Sequence, residues 1–326
     1  MRRSKRRTTR RYLSKAKRMC IRHTWLLPLI LALTIVSLYL VYPYPSNPLS
    51  ACLFLSYPLA RDDPFIPAHV REDPNAPTHY GKGGRDFAFV GFYIIVLSFT
   101  REFCMQRLIR PIALHFGIKN RDKQSRFMEQ AYTALYFGIY GPFGIYIMSR
   151  TPVWYFNTIG MYENFPHRTH EAIVKAYYLL QASYWAQQAI VLLLMLEKPR
   201  KDFKELVAHH VITVSLIWLS YRFHFTYMGI AVYITHDISD FFLAVSQFPT
   251  SRCAHLGIYT NATTDIQVPK LHRFAHRRTL LLCLHVYLGL HAPLHQSQDH
   301  LLDSDYLQNC RPFRAQLGNP TIQVLD

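Results

Sequence analysis

Long apolar blocks, separated by shorter charged segments, run through most of this 326-residue chain. Six of the blocks approach the ~20 residues that a helix needs to cross the hydrocarbon core of a bilayer. A helix satisfies its own backbone hydrogen bonds, which is what a segment surrounded by lipid requires. The sequence therefore predicts an all-α protein, a polytopic transmembrane helical bundle of about six spanning helices. The predicted spans cover residues 25–42, 87–104, 131–149, 173–196, 206–223 and 227–248.

The distribution of charge predicts the orientation of this bundle. The first 24 residues are strongly basic, and the first acidic residue is Asp62. Basic segments next to spans remain in the cytosol, so the N-terminus is expected to be cytosolic. A nucleic-acid role is not expected, because one short basic block lacks the interleaved aromatic residues that stack on bases. The expected regions are a basic N-terminus (1–24), a first anchor (25–42), a Pro-rich lumenal linker (43–86), a membrane domain (87–248) and a divergent tail (249–326).

Four ionisable side chains fall inside the last two predicted spans. His209 and His210 lie near the start of one span, and Asp237 and Asp240 lie within the next. Such groups are costly in a membrane and usually serve a function. The two aspartates are three residues apart and share a helix face. If the chain turns near Phe225, antiparallel packing places all four side chains at a similar depth.

A His/His/Asp/Asp group can perform acid–base or nucleophilic chemistry. A neutral imidazole accepts a proton near pH 7 or attacks an acyl carbon. A carboxylate that accepts a hydrogen bond from the other ring nitrogen would fix the tautomer of the imidazole. The alternative is a buried ion-paired cluster that only locks two helices together. His236 adjoins Asp237 but points about 100° away on a helix, so it is interpreted as a packing or lining residue.

The sequence around these residues carries a family resemblance. The stretch ELVAHHVITVSLIWLSYRFHFTYMGIAVYITHDISDFFLAVS resembles the signature of the longevity-assurance ceramide synthases, which are TLC-domain membrane proteins. Upstream, WYFNT, YLLQASYWAQQ and LEKPRKDFKE are similar to segments of the fungal members. The resemblance covers roughly residues 87–247.

The resemblance implies a fold, a location and a reaction. It implies a multi-pass helical bundle in the endoplasmic reticulum membrane that transfers a fatty acyl group from acyl-CoA to the amino group of a sphingoid base. The family's paired histidines correspond to His209 and His210, and its aspartates to Asp237 and Asp240. The resemblance implies no cofactor and no metal, with acyl-CoA as co-substrate. Expected partners are the two substrates, membrane lipids, and related subunits in a homo- or hetero-oligomer.

The segment after about Gln247 departs from the family pattern. It contains no clear spanning helix, and its longest apolar run is interrupted by His285 and His291. A frameshift, a retained intron or a mis-spliced gene model is the expected cause. The sequence therefore predicts a truncated form of the enzyme and leaves open whether this chain is active as written.

Two other functions are weighed against acyl transfer. The first is a TLC-fold membrane protein that binds lipid without catalysis. The second is a di-metal membrane hydroxylase, which needs several histidine-rich boxes near the cytosolic face. The candidate boxes are His167/His170, His272/His276 and His291/His295.

Overall fold

The computed structural model describes residues 23–44, 46–153, 162, 165–195 and 203–246. The first 22 residues of the basic N-terminus, the WYFNT segment, most of LEKPRKDFKE and the whole tail 249–326 lie outside the described residues. The histidine pairs His272/His276 and His291/His295 lie outside them too.

The described part of the chain is helical apart from one short strand pair. The helices are α1 (Leu26–Val41), α2 (Ser50–Leu53), α3 (Ala68–Glu72), α4 (Asp86–Phe103), α5 (Arg110–His115), α6 (Arg121–Ser149), α7 (Ala172–Leu193), α8 (Phe203–Arg222) and α9 (Thr226–Ser246). The strands β1 (His79–Tyr80) and β2 (His170–Glu171) pair antiparallel, with His79 opposite Glu171. The short helices α2 and α3 fall in the Pro-rich segment, for which no regular helix is predicted.

Among the helices that the structure describes, two stretches are long and apolar enough to cross a membrane. They are Asp86–His115 and Thr226–Val245, and the shorter apolar helix α1 accompanies them. The helical class of the prediction is confirmed, and each of the six predicted spans coincides with a helix. The predicted number of membrane crossings stays a prediction.

The α-helix of the second predicted span is continuous with a further helical segment. The sequence predicts an end near Cys104, but the helix continues through a π-helical turn (Cys104–Ile109) into α5. Pro111 explains this turn, because a proline inside a helix lacks an N–H donor and its ring clashes with the carbonyl four residues earlier. Inserting one wider turn before the proline relieves both problems without ending the helix.

The turn between α8 and α9 lies where the sequence predicts it. His224 adopts a left-handed conformation with φ 66°. The backbone N–H of Phe225 donates to the carbonyl of Ser220 at 2.9 Å, which closes α8 with a Schellman motif. The two helices therefore run in opposite directions, as expected.

Helix α7 forms the centre of the bundle. It packs against α4 and α8, while α9 packs along α6. One face of α7 is deeply buried and includes polar side chains such as Lys175 and Gln181, which are 1% and 0% exposed. Polar groups at this depth require hydrogen-bond partners, so α7 is where buried polar networks are expected.

Close packing of α6 on its neighbours depends on Gly144. A Cβ atom at this position would lie 2.5 Å from Oη of Tyr177 and 2.8 Å from Cγ1 of Ile234. Gly144→Ala should therefore destabilise the protein by about 1–3 kcal/mol, because α6 must move away from α7 and α9. Thermal unfolding in detergent micelles measures this loss.

Gly91 on α4 provides the control. It is exposed, and a Cβ atom there would meet nothing within 4 Å. Gly91→Ala should leave the unfolding temperature unchanged or raise it, since alanine favours the helix. Equal losses in the two variants would contradict this account of the packing.

Candidate functional site

The paired histidines lie next to a buried tryptophan of α7. His209 and His210 are half-buried near the start of α8, and their ring centroids are 5.5 Å apart. Both ring centroids lie 6.1 Å from that of Trp185, which is 5% exposed. The indole of Trp185 therefore packs against both imidazoles.

A backbone carbonyl sets the tautomer of His210. Its Nδ1 atom lies 2.9 Å from the carbonyl oxygen of Leu206, one turn earlier on α8. A carbonyl oxygen only accepts, so Nδ1 carries the proton and Nε2 of the neutral ring has a free lone pair. The sequence predicts a carboxylate in this role, whereas the structure gives it to the main chain. The ring is held ready to accept a proton, or an acyl group, at Nε2.

Asp237 is the buried carboxylate of the site. It is 0% exposed, and its Oδ2 accepts a hydrogen bond from Nε2 of Gln181 on α7. The Gln181 amide is itself held in place, because its Nε2 also donates to the Tyr177 hydroxyl at 3.1 Å and its Oε1 accepts from the Tyr136 hydroxyl at 3.3 Å. One oxygen of Asp237 is thus fixed by an amide that two tyrosine hydroxyls hold in place.

Asp240 and His236 lie on the same helix as Asp237 with different surroundings. Asp240 is half-buried one turn further along α9. His236 is also half-buried, and its Nδ1 lies 3.0 Å from the carbonyl oxygen of Val232. His236 therefore repeats the backbone contact of His210 at a position that the sequence interprets as lining.

Helix α7 contacts both the histidines and Asp237. Trp185 packs against the two histidines, and Gln181 donates a hydrogen bond to Asp237. Gln181 and Trp185 are four residues apart, so they share one face of α7. This face carries both halves of the site.

Sequence reasoning missed these two residues as functional candidates. Both lie in the segment YLLQASYWAQQ, which carries part of the family resemblance. The signal was present, since polar side chains inside a spanning-length helix are expensive. What the sequence did not provide was which face of α7 meets α8 and α9.

A second polar cluster lies at the other end of α8. Lys175 and Asp86 form an ion pair at 2.7 Å, and their side chains are only 0% and 4% exposed. The Tyr221 hydroxyl donates to Asp86 at 2.6 Å, and the Lys175 ammonium also donates to the carbonyls of Ser56 and Gly81. Tyr221 is twelve residues beyond His209, which is about 18 Å along a helix. We call this group the Lys175 cluster.

Three basic side chains, those of Lys82, His170 and His224, lie around the first turn of α9 beside the Lys175 cluster. Lys82 and Nε2 of His170 both contact the hydroxyl of Thr226. Burial, together with the charge of Lys175, lowers the pKa of Lys82 to about 7. Burial and the charge of Lys82 lower the pKa of His224 to about 4 and that of His170 well below its usual range. Both histidines are therefore neutral at physiological pH.

No group of three or more His, Cys, Asp or Glu side chains that could hold a metal ion occurs among the residues that the structure covers. His170, part of the one candidate box in this region, instead contacts Thr226 at 3.0 Å.

The sequence matches one protein-family model. Residues 126–250 match the TLC domain shared by the TRAM, LAG1 and CLN8 proteins. The matched region contains α7, α8 and α9 and all four predicted site residues.

Curated fungal proteins are similar over a longer region. The chain is 49% identical over 228 residues to a sphingosine N-acyltransferase-like protein, FUM17, of Gibberella moniliformis, covering 70% of this chain and 57% of that protein. It is 49% identical over 224 residues to the sphingosine N-acyltransferase lac1 of Schizosaccharomyces pombe, covering 69% and 54%. It is 44% identical over 233 residues to the ceramide synthase LAG1 of Saccharomyces cerevisiae, covering 71% and 53%. The chain thus spans about half the length of these relatives.

Proposed function

Because this chain belongs to the fungal ceramide synthase family of TLC-domain proteins, we propose that it transfers a fatty acyl group from acyl-CoA to the amino group of a sphingoid base. The observation that carries the proposal is the hydrogen bond from His210 Nδ1 to the Leu206 carbonyl. It leaves Nε2 unprotonated in the neutral ring, as a general base or an acyl acceptor must be.

The roles in the proposed reaction follow from the contacts of each residue. Nε2 of His209 or His210 removes a proton from the sphingoid ammonium, or first accepts the acyl group itself. Asp237 balances the charge that develops on the imidazole, with one oxygen fixed by Gln181. Asp240, which is half-buried on the same helix face, adds a second negative charge that balances the imidazolium. The reaction needs no metal or further cofactor, because the thioester is already an activated acyl group.

The proposed setting is the endoplasmic reticulum membrane. Helices α1, α4 with α5, α6, α7, α8 and α9 would supply six crossings, with the basic N-terminus in the cytosol. The histidines then lie near the cytosolic face, where acyl-CoA arrives, and the Lys175 cluster lies near the lumenal face. Association with a second copy or a related subunit belongs to the same proposal.

Membranes from a host without its own ceramide synthase provide the test. The 326-residue chain is expressed there, and microsomes receive sphinganine with fatty acyl-CoAs of several lengths. Mass spectrometry should detect N-acylsphinganine that is absent from membranes carrying the His209→Ala/His210→Ala double variant. Membrane-inserted protein that binds sphinganine but forms no product would instead support the lipid-binding alternative. Loss of binding and turnover together would overturn both functions.

A further inference from the structure

The indole of Trp185 is a buried hydrogen-bond donor without an acceptor. Its Nε1 atom is inaccessible to solvent and has no hydrogen-bond partner among the described residues. An indole N–H donates and cannot accept, so no nearby donor can satisfy it. Leaving such a group unpaired costs roughly 1–3 kcal/mol of stability. Unpaired polar groups of this kind therefore call for an explanation.

The surroundings of this donor indicate its partner. The Trp185 ring contacts both imidazoles, with each pair of ring centroids 6.1 Å apart. Trp185 also packs against Phe137, with ring centroids 6.3 Å apart. The unpaired donor therefore belongs to a ring that packs directly against the candidate histidines.

Acyl transfer creates a charge that such a donor can stabilise. When the sphingoid nitrogen or an imidazole Nε2 attacks the thioester, electrons move from the C=O bond onto its oxygen. A preformed donor in a site without water stabilises this oxyanion strongly. Resting on the function proposed above, we infer that the indole N–H of Trp185 donates a hydrogen bond to the thioester carbonyl oxygen as it becomes an oxyanion.

The step balances without another reactant. The amine nitrogen bonds to the carbonyl carbon, the carbon–sulfur bond breaks, and a histidine passes the proton from the amine to the departing thiolate of coenzyme A. Trp185 neither gains nor loses a proton. Because the indole edge is covered in the ligand-free protein, the thioester meets it only after entering between the helices. Water is kept away from the donor until then.

Trp185→Phe removes the donor and retains an aromatic ring. In microsomes, kcat should fall by about 10²–10³, which is the typical effect of deleting one oxyanion donor. KM for acyl-CoA should stay within about threefold, because the donor acts on the transition state more than on the bound substrate. Trp25→Phe is the matched control. Nε1 of Trp25 is also buried without a partner, but its ring packs against Phe99 and Phe103. This control should keep wild-type kcat.

A binding measurement separates the failure of this inference from failure of the proposed function. The first probe is an acyl-CoA analogue with a trifluoromethyl ketone in place of the thioester, which forms a tetrahedral adduct. The second is an S-alkyl-CoA, which lacks the carbonyl. Wild-type protein should bind the ketone at least tenfold more tightly than Trp185→Phe does, while the two proteins bind the S-alkyl-CoA equally.

Each other result overturns the inference. Equal kcat and equal ketone affinity in wild type and Trp185→Phe would leave acyl transfer intact but remove Trp185 from it. If Trp185→Phe unfolds at a lower temperature and binds the ketone and the S-alkyl-CoA more weakly by the same factor, the tryptophan has a packing role. Wild-type protein that neither turns over substrate nor binds either probe would refute the proposed function, and the inference with it.

Discussion

Replacing His210 with alanine should lower the rate of N-acylsphinganine formation by about 10²–10⁴, the usual contribution of a positioned acid–base group. His210 has its Nδ1 fixed on the Leu206 carbonyl, which leaves Nε2 as the reactive atom. The alanine side chain removes that atom but keeps the helix, since alanine favours helical conformation. Initial rates in microsomes, normalised to the amount of membrane-inserted protein, measure the loss.

The matched control for this variant is His236→Ala. His236 makes the same kind of contact, from Nδ1 to the Val232 carbonyl at 3.0 Å, and is similarly half-buried. Its loss should change the rate by no more than a few-fold. His209→Ala completes the comparison, because the His209 ring packs against Trp185 as the His210 ring does. Full activity in both His209→Ala and His210→Ala would remove the histidines from the reaction.

Mass spectrometry can separate the two roles proposed for the histidines. Wild-type protein incubated with acyl-CoA alone should carry an acyl group on a peptide containing His209 or His210 if an imidazole is the acyl acceptor. If the imidazole acts only as a base, acyl-CoA should remain intact until sphinganine is added.

The second large effect is expected at the Lys175 cluster. Lys175→Met leaves the buried carboxylate of Asp86 with the hydrogen bonds from Tyr221 and the Gly83 N–H but without its ion-pair partner. Removing one member of a buried ion pair typically costs 3–5 kcal/mol, because the other charge stays buried without compensation. The variant should unfold at a clearly lower temperature in detergent and accumulate at a lower level in membranes.

Two comparisons test the electrostatic origin of this loss. The double variant Lys175→Met/Asp86→Leu should be more stable than Lys175→Met alone, because it removes both charges. Arg150→Met breaks an exposed pair with Glu171 and should cost less than about 1 kcal/mol. A double variant less stable than the single one would indicate that size, and not charge, matters at this position.

The helices of this protein were largely predictable, because apolar blocks of spanning length restrict the chain to few structures. The turn near Phe225 was also predictable, since polar residues separate two apolar blocks there. The π-helical turn before Pro111 was missed, although the steric effect of a proline is known from sequence. Treating the basic segment after Cys104 as a separate element hid that effect.

The site was only partly predictable for a different reason. The residue types and spacing of the two histidines and two aspartates indicated chemistry in this region. Their supports, Gln181 and Trp185, depend on the rotation of α7 about its axis, which the mixed polar and apolar sequence of that helix does not specify. The pairing of Lys175 with Asp86 was hidden in the same way, since it joins two segments far apart in the sequence.

The contact between His210 and Leu206 makes the protonation pattern of this histidine a local property of α8. Donor and acceptor are four residues apart on one helix, so their distance does not depend on how α8 sits against α7 or α9. A shift of the neighbouring helices would therefore leave the same ring nitrogen with its lone pair. If acyl transfer proceeds as proposed, the reactive atom is set within α8, whereas the space around it is set by the packing of the other helices.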